Sequence, residues 1–470
     1  MNTTMKLSNK LIVLVLAAAT LWSCEDQLST TPFDSIDSKS AFKTVSDLND
    51  GALGAYGTIS GENIYAINSL MTDNLRRASS NTGQGMQVFN HNIIANDGTV
   101  EGAWLNAYVT IDRINRVITA AETIEGENSS EVDEKRRIVG EMIALRAYQH
   151  FDLFRIFASY SLNDSELAVP YMTVSQIGKP ARDTKGDFFA QLLADVNEAE
   201  TILGSVGGTS NSRINLSALQ GLRARIALYR EDWPTAIDYA TRVIDNNSLT
   251  PRSEYAGLWD DSIQGEVIFK LLRLTPSDGT IDIFERSGND DTFFFASNEV
   301  SSLYDEAGGN DVRFSTFFTR EAADQVRITK YNKRAGQKNT ADIKMMRVSE
   351  MYLIRAEAYA QPGPQQNLTA AESDIQELRA NRYDTPPATS FADANNALDT
   401  VYLERRLELI YEGHRFFDLK RANLPVERIA ADIDGATTTD FLASDSFKFV
   451  FPIPQSEVFA NENIEQNPGY

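Results

Sequence analysis

The chain has 470 residues, of which 42% are hydrophobic, so it is long enough to bury a large core. Its formal net charge of -22 argues against nucleic acid as a partner, because phosphate binding requires clustered Lys and Arg. The same acidity argues against peripheral docking on anionic lipid.

The first 23 residues have the pattern of an export signal. A short basic region precedes an apolar stretch, Leu11 to Leu21, that is shorter than the roughly 20 residues of a membrane span. Cys24 is the only cysteine of the chain, so no disulfide is possible. Its position after Ser23 resembles a lipoprotein signal peptidase site, which predicts a mature chain that begins at an acylated Cys24. An ordinary secreted protein with a free cysteine is the alternative.

Residues 24–40 are polar and rich in turn formers, which predicts a tether between the lipid and the folded body. Helical periodicity begins near Ala41 and recurs along most of the remaining chain. Thr184 is the expected cap of one helix, because Asp187 follows three residues later. The clearest further helices are predicted at Val132–Phe157, Leu216–Arg230, Pro234–Ile244, Arg347–Ala360 and Asn367–Arg382.

Small residues along the last four of these helices are typical of tetratricopeptide repeats, in which paired helices approach closely. Residues 74–100 instead read as a long loop, and residues 246–344 as a loop-rich region with short strands at Val267–Phe269 and Phe293–Phe295. We therefore predict a mainly α fold: a tetratricopeptide-like helical-repeat scaffold with long irregular loops and a few short strands. Residues 41–470 are expected to form a single domain, with halves at about 41–245 and 246–470.

Catalytic motifs of the common enzyme classes are absent from the sequence. Of the three histidines, His150 and His414 lie among core aromatics, and only His91 is a candidate for contact with a ligand. Asp290 and Asp291 have the oxygen ligands that calcium prefers, but a solvated acidic loop is the preferred interpretation. We expect no cofactor and no bound metal. Trp104, Trp233 and Trp259 are expected to pack rather than to bind a ligand.

The most informative stretch of the chain runs from Tyr402 to Arg421. Leu403, Leu407 and Ile410 recur at helical spacing and are predicted to face a core, and Gly413 is the expected helix stop. A second stripe carries three carboxylates interleaved with two arginines: Glu404, Arg405, Arg406, Glu408 and Glu412. A glycoside hydrolase would use such carboxylates as acid and base. A structural ion network is the other interpretation, because a neighbouring cation lowers a carboxyl pKa.

The same stretch resembles a known family. Its sequence E-R-R-L-E-L-I-Y-E-G-H-R-F-F-D-L-K-R is similar to the C-terminal signature of the SusD/RagB outer-membrane nutrient-binding lipoproteins. The chain also ends as that family does, with F-P-I-P-Q-S-E-V from Phe451 and N-P-G-Y from Asn467. M-Y-L-I-R-A-E-A-Y-A from Met351 and Asn115 in its helix match the family as well. The resemblance covers nearly the whole mature chain.

The resemblance implies a non-enzymatic lipoprotein on the outer face of the outer membrane, anchored through the acylated N-terminus. It implies an oligosaccharide as ligand and a SusC-like TonB-dependent transporter as partner. Peptide cargo, as in RagB-like members, is one alternative, and hydrolysis by Glu404, Glu408 and Glu412 is the other. The resemblance implies a ligand surface on loops near two segments of this chain, residues 74–100 and residues 246–344. Our candidate ligand contacts there are Asn74, Arg76, Arg77, Phe89, His91, Phe284, Arg286 and Phe294.

Overall fold

The computed structural model describes most of the chain after the predicted tether. The described residues are 41–208, 210–275, 282–286, 291–306, 310–332, 334, 340–435 and 439–470. The predicted signal peptide, tether and lipidation site at Cys24 lie outside the described residues, as does Asp290.

The first half consists of helices that follow one another closely along the chain. Its helices are α1 (Val45–Tyr56), α2 (Gly61–Leu70), α3 (Met86–Phe89), α4 (Gly98–Ala121), α5 (Ser129–Phe157), α6 (Lys185–Val206), α7 (Leu216–Tyr229) and α8 (Trp233–Asn246). Thr184 caps α6 as predicted, because its Oγ1 accepts a hydrogen bond of 3.1 Å from the Asp187 amide. Asp232 caps α8, and Pro234 sits in its first turn, where no intrahelical amide is needed.

The second half begins with short strands and returns to helices. The helices are α9 (Asn298–Asp305), α10 (Val312–Phe317), α11 (Val348–Ala360), α12 (Leu368–Ala380), α13 (Ala394–Glu408), α14 (Arg415–Arg421) and α15 (Gln455–Ala460). Helices α7 and α8 form one antiparallel hairpin, and α11 and α12 form another; α8 packs directly against α11. The predicted tetratricopeptide-like helical fold is confirmed.

Short antiparallel strands join the helical parts. They are β1 (Leu75–Arg77), β2 (Val267–Leu271), β3 (Phe294–Ala296), β4 (Phe318–Ala322), β5 (Gln325–Ile328), β6 (Ile343–Arg347), β7 (Val426–Glu427) and β8 (Phe441–Leu442). A four-stranded sheet has the order β1-β3-β5-β4, while β2 pairs with β6 and β7 with β8. The strands predicted from the apolar runs at Val267 and Phe293 are confirmed. Strand β1 and helix α3 were missed, since both fall where a long loop was predicted.

The buried hydrophobic residues form one contiguous cluster that extends from Val45 to Ile464. Leu407 and Ile410 belong to it, as predicted. The prediction for Leu403 is wrong, because its side chain lies on the outer side of α13 and is 38% exposed. The prediction that Gly413 stops the helix is wrong, because α13 already ends at Glu408. Gly413 lies in the turn that follows, where its φ of +83° is a left-handed conformation that favours glycine. In the described part of the chain, no helix is both long enough and apolar enough to cross a bilayer.

Candidate functional site

The three carboxylates of the Tyr402–Arg421 stretch lie in a buried network of ion pairs. Glu408 is fully buried and accepts hydrogen bonds from Arg347 at 2.7 Å and from Arg382 at 2.9 Å. The neighbouring carboxylates are paired in the same way: Glu404 with Arg313 and Arg379, and Glu412 with Lys330 and Arg347. A structural network is therefore what these residues form.

The partners of the three carboxylates are not the arginines interleaved with them in the sequence. Arg405 turns away to Asp418 at 3.0 Å, and Arg406 to Glu299 at 2.8 Å. Helical geometry explains the separation, because residues one or two positions apart point to different sides of α13. The network thus ties α13 to distant segments rather than to itself.

The network also decides against acid-base chemistry at Glu408. Burial alone would raise the pKa of its carboxyl group, but Arg382 and Arg347 overcome that effect and hold the pKa well below its ordinary value. A carboxylate held ionised and enclosed by guanidinium groups cannot donate a proton to a glycosidic oxygen. This geometry removes the basis of the hydrolase alternative.

The two segments chosen as the ligand surface do come together, in the four-stranded sheet. Strand β1 of the first segment pairs with β3 of the second, so that Arg76 lies opposite Phe295 and Arg77 opposite Phe294. Phe295 lies opposite Arg327 of β5, which in turn lies opposite Thr319 of β4. Because opposite residues share a face, Arg76, Phe295, Arg327 and Thr319 form one row across the sheet, here called the sheet face.

Several candidate ligand contacts are buried beneath the sheet instead of being displayed on it. The Phe89 and Phe294 rings pack together with centroids 5.0 Å apart. Phe284 packs against Tyr411. The Asn74 side chain accepts a hydrogen bond of 2.9 Å from Arg406. These side chains are 0 to 3% exposed, so they support the surface and do not offer groups to a ligand.

His91 is buried as well, although it lies in the segment predicted to be a loop. Its Nε2 atom lies 3.1 Å from the Met71 carbonyl oxygen, and the side chain is 1% exposed. Burial, together with the nearby charge of Arg428, lowers the pKa of His91 to about 3. The prediction that His91 contacts ligand is therefore replaced by a role as a neutral buried imidazole.

The three arginines among the candidates remain accessible. The Arg76 guanidinium lies over the Phe295 ring at 5.2 Å from its centroid and hydrogen-bonds the Asp324 carbonyl oxygen. Arg77 donates to Asp434 at 2.6 Å at the edge of the sheet. Arg286 is half exposed and lies over the Phe293 ring, 5.6 Å from its centroid. These three residues stay candidate contacts.

Only Arg76 among the four members of the sheet face was identified from the sequence; of the three that were missed, Phe295 and Arg327 have the larger side chains. Phe295 was passed over for Phe294, and only the pairing with β1 shows which of the two points outward. Arg327 lies in the alternating polar and apolar run Gln325–Ile328, which was not identified as a strand from the sequence. Its guanidinium is oriented by Glu321 at 2.9 Å and by Glu285. The signal that identifies both is strand register, which a short strand does not reveal by itself.

No group of three or more potential metal ligands occurs among the residues that the structure describes. Asp291, the described member of the two aspartates considered as calcium ligands, has a carboxylate oxygen 3.9 Å from Arg286. The expectation that Asp290 and Asp291 belong to a solvated acidic loop stays untested.

Comparison with known proteins finds a family match for each half of the chain. Residues 288–470 match a family model described as "SusD family", and residues 29–228 match one described as "Starch-binding associating with outer membrane". SusD-like protein P38 of Formosa agariphila is 22% identical over 516 residues, covering 97% of this chain and 98% of that protein.

Solved structures agree with the fold. A SusD superfamily protein from Bacteroides thetaiotaomicron is 26% identical with a TM-score of 0.79, covering 90% of this chain and all of that one. A laminarin-binding SusD-like protein is 19% identical with a TM-score of 0.67, covering 91% of this chain and all of that one. The chain therefore belongs to the SusD/RagB family of SusD-like proteins, a carbohydrate-binding family associated with the outer membrane.

Proposed function

We propose that this protein is a non-enzymatic, lipid-anchored receptor that captures oligosaccharides on the sheet face and delivers them to a SusC-like TonB-dependent transporter. The observation that carries the proposal is the sheet face itself. It joins the two predicted ligand segments and brings Arg76, Phe295 and Arg327 into one row, in which Arg76 covers the Phe295 ring. A starch-binding family model for the N-terminal half and a laminarin-binding structural relative support a glycan as the ligand.

The sheet face has the groups that a saccharide requires. Hydroxyl groups accept hydrogen bonds from the guanidiniums of Arg76 and Arg327 and donate them to the Glu321 carboxylate. The partners of Arg327 hold its guanidinium plane in place, which lowers the entropy lost when a sugar binds. The Phe295 ring lies beneath the Arg76 side chain. If the flexible Arg76 side chain moved aside, the Phe295 ring would offer an apolar face to a pyranose ring.

Delivery to a transporter requires that the receptor stay at the membrane. Acylation of Cys24 would provide the anchor, and residues 24–40 would provide the reach of the tether. Glu25 and Asp26 directly after the cysteine resemble the acidic run that accompanies export of such lipoproteins to the outer face. The receptor would then cover the mouth of the barrel and pass the glycan inward.

Arginine substitutions on the sheet face test the binding surface. We expect Arg76→Ala and Arg327→Ala each to weaken binding of laminarin or starch oligosaccharides by about tenfold, the loss of one hydrogen bond from a charged donor. Arg242→Ala is the control, because Arg242 is an ion-paired arginine on α8 that does not belong to the sheet face; it pairs with Asp238 and is more exposed than Arg76 or Arg327. Equal affinities for all three variants and the unchanged protein would show that the glycan binds elsewhere.

Purification from native outer membranes tests the transporter. The tagged protein should bring down a large TonB-dependent barrel in a fixed ratio, and its gene neighbour should encode that barrel. Recovery of the receptor without any barrel, under detergent conditions that preserve a known receptor-transporter pair, would contradict delivery to a transporter.

A further inference from the structure

A pocket of about 420 Å³ lies between the segment after α5 and the C-terminal end of the chain. The lining of this C-terminal pocket includes Glu166, Leu167, Arg182, Phe447, Glu465 and Asn467. Its volume falls in the range of small-molecule sites. It shares no residue with the sheet face, and the proposed capture of glycan does not use it.

The walls of the C-terminal pocket are held in place by a buried arginine. Arg182 donates to the Glu465 carbonyl oxygen at 3.1 Å and to Asn467 Oδ1 at 2.9 Å on one wall. On the other side it donates to the Leu167 and Ala168 carbonyl oxygens at 3.3 and 2.7 Å. The pocket is therefore formed before any ligand arrives, which reduces the entropy lost on binding.

The charges around the pocket balance. Arg182 and Glu465 belong to the lining, and Lys185 donates to the lining residue Glu166 at 2.7 Å. Burial opposes ionisation of Glu166, but Lys185 and Ser159 lower its pKa to about 2, so its carboxylate is ionised. Two cations face two anions, which gives neither a cationic nor an anionic ligand a net attraction. The balance favours a neutral polar ligand.

An aromatic ring supplies an apolar surface in the same pocket. Phe447 is 43% exposed, which is high for a large aromatic side chain. Gly469 packs closely against this ring, and the Tyr470 ring meets it edge-on at 5.0 Å between centroids. The ring is thus fixed in orientation by the chain end while part of its surface stays open. Leu167, Val450 and Pro468 extend the apolar lining.

We propose that the C-terminal pocket is a second saccharide site, which binds a neutral pyranose or disaccharide unit. The Phe447 ring would contact the apolar face of the sugar, and the Glu166 and Glu465 carboxylates would accept hydrogen bonds from its hydroxyl groups. Such a site would hold a second point of a long glycan, or a second chain, while the sheet face holds the first. Two weak sites on one body raise the retention of a polymer beyond either alone.

Saturation-transfer NMR tests the pocket with the sheet face disabled. The full-length Arg76→Ala/Arg327→Ala protein is mixed with laminaribiose, maltose or methyl β-glucopyranoside, and transfer to the sugar protons is measured. We expect transfer to at least one probe, and an affinity about five- to tenfold lower when Phe447→Ala is added. Glu465→Gln provides a second test, because it changes an exposed carboxylate without altering the backbone carbonyl that Arg182 binds.

Phe459→Ala is the matched control, because Phe459 is an exposed phenylalanine of the same C-terminal region that does not line the pocket. Thermal melts of every variant exclude unfolding as the cause of a loss. Absence of transfer to all three sugars, or equal transfer in Phe447→Ala and Phe459→Ala, would overturn the second site. Binding of lysine methyl ester or methyl glucuronide in place of the neutral sugars would overturn its ligand class. Neither result bears on the sheet face, which is tested by its own arginine variants.

Discussion

The substitution Glu408→Ala tests the ion network around α13, because this carboxylate is its centre. Removing one partner of a buried ion pair costs about 3–5 kcal/mol, since the other charge stays buried. Each guanidinium at Glu408 keeps another carboxylate: Arg347 keeps Glu266 and Glu412, Arg382 keeps Glu266, and Arg313 keeps Asp311. We therefore expect the lower end of the range, a loss of about 3 kcal/mol in the free energy of unfolding.

The shift in melting temperature follows from the size of the chain. An unfolding entropy of about 2.1 cal/mol/K per residue over roughly 430 residues gives about 0.9 kcal/mol/K, so that Tm falls by about 3 °C. Calorimetry and urea titration measure both quantities, with Glu198→Ala as the control, because Glu198 is exposed on α6. Glycan affinity measured well below Tm should not change. An unchanged Tm with lost binding would refute the structural interpretation of the network.

The pH dependence of the same variant gives an independent check. The folded pKa of Glu408 lies well below the ordinary value of 4.5, so its stabilising effect is fully present above that value. The effect is lost as pH falls through the lowered folded pKa. The stability difference between the unchanged protein and Glu408→Ala should therefore be constant at neutral pH and shrink below about pH 4.5. A difference that grows on acidification would contradict an ionised, paired carboxylate.

Three further outcomes are expected. Cys24→Ala should abolish acylation and release the protein from the membrane fraction; a variant that still pellets with outer membranes and labels with palmitate would show that the anchor is elsewhere. Gly413→Ala should lower the free energy of unfolding by about 1–3 kcal/mol, because the φ of Gly413 is +83° and a Cβ there would lie 2.9 Å from Ile64. Urea titration measures this loss, and an unchanged midpoint would contradict the prediction. The His150 imidazole should show no titration by NMR between pH 7 and 5, since burial, opposed only in part by a hydrogen bond, lowers its pKa to about 3; a midpoint near 6.5 would mean that it is solvated.

Local signals in the sequence were sufficient for the helical scaffold. The Thr184 cap and the Pro234 start each depend on residues within one helical turn, and both are where the pattern predicts them. The Gly413 stop is not, because α13 ends five residues earlier, at Glu408. Burial of the carboxylate stripe could also be predicted, because so many charges beside aromatic residues require pairing. Leu403 was mistaken for a core residue because spacing alone does not fix the width of the buried face of α13.

Contacts between residues far apart along the chain could not be predicted from the sequence. The guanidiniums that bind Glu408 come from residues 95, 61 and 26 positions away along the chain: Arg313, Arg347 and Arg382. The residues of the sheet face could not be predicted from the sequence for the same reason. Phe293, Phe294 and Phe295 are indistinguishable as neighbours, and only the register against β1 turns Phe294 into the core and Phe295 outward.

Calorimetric titration with matched panels of glycans and peptides tests the central claim, that this protein is a non-enzymatic glycan receptor. The account predicts saturable binding of at least one oligosaccharide, weakened about tenfold by Arg76→Ala, with no new reducing ends after prolonged incubation. Tight binding only to peptides would contradict the glycan as cargo. Release of reducing ends that is abolished by Glu408→Gln would contradict the absence of catalysis.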